Sequence, residues 1–146
     1  MEASTAVPET GAPGEAGSGG TEGGAREGGA GGDGGGATFT AVYAIITTSC
    51  LPCHATGGGA TGGMLDMSTQ ATAYTNLVGK TAAGSACAAT GGTRVVPGMA
   101  TASLLYNKVS VATPRCGMRM PRGAAPLPAA DVMLIRSWIN AGALND

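Results

Sequence analysis

One histidine in 146 residues restricts this chain more than any other feature. It is His54, and it closes the run Cys50-Leu51-Pro52-Cys53-His54. Two thiols and an imidazole within five residues form a compact set of soft and borderline donors. Any further ligand must come from another residue type, because the sequence holds no second imidazole. Two more cysteines, Cys87 and Cys116, complete the thiols.

Three chemistries compete for the C-x-x-C-H run. The first is covalent haem attachment, in which both thiols become thioethers on the porphyrin and the imidazole ligates iron. The second is a thioredoxin-like dithiol, which needs a CxxC beside a βαβ pattern; no such pattern is present. The third is structural zinc, with Cys50, Cys53, Cys87 and Cys116 as four ligands, or His54 in place of one. Haem is the expectation, because short apolar stretches separated by long loops need something large to enclose. The single motif sets one haem c per chain, with Cys50 and Cys53 as thioether residues and His54 as proximal ligand.

With one histidine, bis-histidine ligation within the chain is excluded, and the opposite iron face falls to a thioether, a weaker donor or nothing. Met64, Met67, Met99, Met118, Met120 and Met133 are the candidates. For each the plain alternative is core packing, the usual role of methionine. Met64 and Met67 follow His54 too closely to reach the far face without a tight wrap. Met133 is expected on a helix, in the core. Met120 precedes Pro121, which biases it to extended backbone, so Met120 is the expected distal ligand and Met118 the runner-up. The leftover Cys87 and Cys116 are expected to pair in an oxidising compartment. That disulfide closes a loop worth about 3–4 kcal/mol in the chain-entropy model; the alternative is two separate buried thiols.

Residues 1–36 hold 14 of the 27 glycines, and six acids against one arginine, a net charge of −5. They lack the apolar surface to offset chain entropy, so a disordered acidic tether is expected there. Residues 37–146 carry seven Lys or Arg against three Asp, a net charge of +4. That excess is too small and dispersed for nucleic acid, but it can matter for docking an acidic partner. No run of 18 apolar residues suggests a transmembrane helix, and no apolar stretch follows Met1 as a signal peptide would require. Covalent haem attachment normally happens outside the cytoplasm. A periplasmic or other extracytoplasmic location is therefore expected, with an export signal already removed and the tether as a route to a membrane anchor.

Phe39, Val42, Tyr43 and Ile46 share one helical face, capped by Thr38 or Thr40, in a helix that delivers Cys50. A second helix is expected from a Ser68 cap to about Val78, and a third over Thr101 to Val109 with Leu104 and Leu105 buried. Residues 110–126, rich in proline, should be irregular. The last helix follows Pro128, with Leu134, Ile135, Trp138 and Ile139 as its apolar stripe. No strand pattern appears. The expected fold is all-α, with short helices and long loops around one haem over residues 37–146.

These segments together resemble a family. Phe39…Val42-Tyr43…Ile46…Cys50-x-x-Cys53-His54 resembles the opening of class I-like monohaem cytochromes c, in particular the planctomycete-type cytochrome c domain. Gly63-Met64-Leu65-Asp66-Met67-Ser68 looks like the step after its haem motif. Val96-Pro97-Gly98…Ser103-Leu104-Leu105-Tyr106, Met120-Pro121 and Leu127…Ile135…Trp138-Ile139-Asn140-Ala141-Gly142-Ala143 look like its later segments. The cysteine pair and Arg122 depart from the pattern. The resemblance implies His54 and Met120 as axial ligands, electron transfer with a redox partner, and no open catalytic site. Trp138 is expected to pack against the porphyrin. Arg115, Arg119 and Arg122 are expected either to neutralise haem propionates, to face an acidic partner, or simply to be solvated. Two rival functions stay open: a haem-based ligand-binding or sensor module with a displaceable Met120, and a zinc-stabilised structural domain.

Overall fold

The computed structural model describes residues 36–56 and 62–146. The expected tether lies outside them except for Gly36, as does the stretch 57–61 of the loop after His54. The described residues form a small all-α domain of six short helices and one 3₁₀ turn, with no strand among them.

Helix α1 (Phe39–Ser49) begins as its sequence indicates, with the Thr38 hydroxyl accepting from the Ala41 N–H at 3.2 Å. A second cap comes from far along the chain. The Asp146 carboxylate accepts from the Phe39 N–H at 2.8 Å, and its carbonyl accepts from the Thr40 N–H at 2.9 Å. Negative charge at this end is favourable, because the first-turn N–H groups lack helical partners. Thr47 and Thr48, poor helix formers, turn their hydroxyls back onto the carbonyls of Tyr43 and Ala44 and stay on the exposed side.

Phe39, Val42 and Ile46 are buried. Phe39 meets Tyr74 of α3 (Gln70–Leu77) edge-on and Trp138 of α6 (Ala129–Asn140), both with ring centroids 5.1 Å apart. Each of the latter two has a polar end satisfied: Tyr74 Oη donates to the Ala143 carbonyl, and Trp138 Nε1 donates to that of Leu144, both at 2.9 Å. The aromatic centre of the core is thus a junction of α1, α3 and α6.

Several boundaries shift from expectation. The cap of α3 is Thr69, whose hydroxyl accepts from the Thr72 N–H. Ser68 does not cap; its N–H donates to the Asp66 carboxylate at 2.8 Å. Val78 leaves the helix and forms an isolated bridge with Val95. A short helix not foreseen, α4 (Ser85–Ala88), carries Cys87. The third expected helix breaks into a 3₁₀ turn (Ala100–Ala102) and α5 (Leu104–Ser110). At the break, Ser103 is fully buried: its hydroxyl donates to the Met99 carbonyl at 2.9 Å and accepts from the Val96 N–H at 2.8 Å. Residues 111–126 are irregular, as expected.

In α6, Ile135, Trp138 and Ile139 are buried. Met133 is not in the core; it is 65% exposed. Two residues back from Ile135 is about 200° around a 3.6-residue helix, which puts Met133 on the outer side.

Candidate functional site

The motif sits at the end of α1. The Cys50 N–H donates to the Ile46 carbonyl at 2.8 Å, so Cys50 extends α1 while opening α2 (Leu51–His54). Pro52 falls within the first turn, where its missing N–H costs nothing. The His54 N–H returns to the Cys50 carbonyl at 2.9 Å. Cys50 is half-buried, Cys53 exposed and His54 half-buried.

The imidazole is oriented by its neighbourhood. His54 Nδ1 lies 3.2 Å from the Leu65 carbonyl. A carbonyl only accepts, so Nδ1 carries the hydrogen in this contact, and in the neutral ring Nε2 keeps the lone pair. Backbone anchoring of this kind commonly holds a metal-ligating histidine in one tautomer. Two further contacts close the segment after the motif onto it. The Met67 N–H donates to the His54 carbonyl at 2.8 Å. Gly62 passes so near that a Cβ there would lie 2.5 Å from the Cys53 carbonyl oxygen.

Cys50, Cys53 and His54 border a cavity of about 740 Å³, within the roughly 300–1,000 Å³ typical of cofactor sites. Met120 borders the same cavity. Much of the rest of its wall is aliphatic, including Leu77 of α3, Leu104, Leu105 and Val109 of α5, and Leu127. Leu105, expected to be buried, is only partly so because it faces this space. Trp138 is not on the wall: Phe39 occupies its face, and the α6 stripe is spent on α1.

Of the six methionines weighed as ligands, three reach the cavity: Met67, Met118 and Met120. Met67 is buried and bonded through its backbone to His54, so it belongs to the histidine side. Met118 is 57% exposed, whereas Met120 is half-buried and packed against the main core. Met64 and Met99 are exposed and do not border the cavity.

Cys87 and Cys116 form a disulfide with an S–S distance of 2.01 Å. Disulfides persist in oxidising compartments. The bridge joins α4 to the segment that carries Met120, four residues on. It also takes two of the four thiols needed by the zinc arrangement. Among the described residues no group of three or more His, Cys, Asp or Glu could hold a metal ion. Burial, and secondarily the neighbouring Cys53, pushes the Cys50 thiol up to about 11. A dithiol redox pair works by the opposite shift, toward a more acidic thiol.

The cations on the wall are only partly those expected. Arg122 borders the cavity; Arg119 lines a smaller adjoining pocket of about 300 Å³; Arg115 lines neither and donates to the Thr101 carbonyl at 2.9 Å. Two others arrive from elsewhere in the chain. Arg94 donates to the carbonyls of Asn76 and Met64 at 2.8 and 2.9 Å, and Lys108 reaches in from α5. Burial lowers the pKa of both. Neither belongs to the C-x-x-C-H run or the Met120-Pro121 pair, so their place on the wall follows from the fold. Asp66, Asp131 and Asp146, the acids of residues 37–146, do not border the cavity.

The donor set, the tautomer and the aliphatic wall fit a haem held by two thioethers and an imidazole, with a thioether available from a separate chain segment. Among the described residues no helix is long and apolar enough to cross a membrane. No protein-family profile, curated protein or solved structure matches this chain, so the resemblance noted above rests on its residues alone.

Proposed function

We propose that this chain is a monohaem c-type cytochrome that carries single electrons between redox partner proteins. The observation that carries the reading is the meeting of Cys50, Cys53, a tautomer-fixed His54 and Met120 on one largely aliphatic cavity. Bound there, haem iron supplies a reversible one-electron couple, reduced by a donor protein and reoxidised by an acceptor protein. Everything else falls to the chain. Cys50 and Cys53 secure the porphyrin covalently. His54 offers Nε2 while the Leu65 carbonyl holds Nδ1–H. Met120 offers a soft thioether, and a His/Met pair raises the potential relative to more strongly donating ligands. The aliphatic wall excludes water, which disfavours the more highly charged oxidised state. Arg94, Lys108 and Arg122 place positive charge where porphyrin carboxylates can be neutralised. With His54 and Met120 both holding the iron, the chain would leave no position on it for a substrate.

The test is spectroscopic. Exported with haem-attachment machinery, the protein should keep its haem through denaturing electrophoresis and show sharp bands when reduced. The oxidised form should show the far-red band of methionine-ligated iron. Met120→Ala should abolish that band and Met118→Ala should keep it. A colourless protein with two free motif thiols would sink the reading.

A further inference from the structure

Lys108 stands in the last turn of α5, where the final carbonyls of a helix have no partner within it. Its own carbonyl is used: it accepts from the Met120 N–H at 2.9 Å. Its side chain runs the other way along the same segment. Nζ donates to the Cys116 carbonyl and to the Met118 carbonyl, the latter at 3.1 Å. One residue therefore grips the arm at 116, 118 and 120. An ammonium suits this task, since it carries three donors and accepts nothing.

Position 117 is shaped for the same contact. Gly117 has φ +57°, and a Cβ there would come within 2.7 Å of Lys108 Nζ and 3.2 Å of the Ala86 side chain. A side chain at 117 would be strained by its backbone and would push the ammonium off the two carbonyls. The disulfide fixes the arm at Cys116, and Lys108 reaches on to Met118 and Met120.

We infer that Lys108 is a positioning residue, seated by Gly117, that holds the Met120 arm in place through the chain itself and thereby keeps exogenous ligands off the distal side of the cavity. The inference rests on the proposed His54 and Met120 ligation. It also gives a physical basis for choosing electron carrier over ligand-binding module: a displaceable methionine needs an arm free to swing, and this arm is gripped at three points.

The experiment uses the haem-loaded protein and two variants, Lys108→Met and Gly117→Ala, with Lys80→Met as an exposed-lysine control. Imidazole binding to the oxidised form is followed in the visible spectrum, and amide hydrogen exchange is followed over residues 116–122. An arm released about ten times more often raises the apparent imidazole affinity about tenfold. That gain is expected in both variants, with faster exchange at Met120, and no change in Lys80→Met. A merely structural lysine would lower the melting temperature and speed exchange across the domain while leaving imidazole affinity within about twofold; that result overturns the inference. If the parent protein holds no covalent haem, it is the proposed function that fails. Exchange in the haem-free chain then decides about Lys108, and an unchanged Met120 amide overturns its role as a grip.

Discussion

The two sides of the cavity are built in opposite ways. The His54 side is local. Its thiols and imidazole lie within five residues, on a helix that continues α1, and its anchors at Leu65 and Met67 follow within thirteen residues of His54. The Met120 side has no regular structure of its own over residues 111–126. It is held from outside: by the disulfide to α4, by Lys108, and by Asn107, whose side-chain carbonyl accepts from the Arg115 N–H at 2.9 Å. Helical hydrogen bonds carry the motif of the first side; the second has no helix of its own and is held by the preceding α5, across 8 to 12 residues, and by a disulfide that spans 29 residues. The geometry of the motif is thus set within its own short helix, while the placement of Met120 depends on contacts to α4 and α5.

The contrast can be broken most severely at the motif. Cys50→Ala with Cys53→Ala should reduce covalent haem from one per chain to none, read by intact mass, while the disulfide still forms. Cys87→Ala with Cys116→Ala should do the reverse, keeping covalent haem while lowering unfolding free energy by about 3–4 kcal/mol, read by urea denaturation of the haem-loaded protein. Equal haem loss in both pairs would mean that the two sides are not separable. The smallest effect is expected at Asn107→Ala, which removes one partly exposed hydrogen bond worth about 1 kcal/mol. It should change the far-red band less than Lys108→Met does. A larger change would move the grip on the arm from Lys108 to Asn107.

The balance between helix and loop was readable where residues act on their immediate neighbours. The face of Phe39, Val42 and Ile46, the Thr38 cap, the start of α6 after Pro128 and the irregularity of 111–126 all follow from spacing and backbone preference. The structure departs from expectation where a side chain or a helix face takes a partner that spacing does not specify. Ser68 does not cap α3; Thr69 does, its hydroxyl accepting from the Thr72 N–H, and the Ser68 N–H is held by Asp66. The helix expected from Thr101 breaks because Ser103 bonds back to Val96 and Met99. Trp138, expected against the porphyrin, packs on Phe39 instead, because the apolar stripe of a helix does not specify which partner receives it, and here α1 does. Met133, expected in the core, is exposed because the period of α6 points it outward.

By itself the sequence determined the donor set. One C-x-x-C-H, one histidine and two spare cysteines limit the chemistry, because ligand identity is a property of side chains and needs no coordinates. Only the tertiary structure decided how those donors are served: that the Leu65 carbonyl sets the tautomer of His54, that Met120 and the motif border one cavity, and that Arg94 and Lys108 join its wall. Apart from the His54–Leu65 contact, which spans 11 residues, these bring together segments far apart in the chain, and no local spacing encodes them. They arise when α1, α3 and α6 close on Phe39, and the remaining chain must satisfy its backbone groups against whatever that closure brings near.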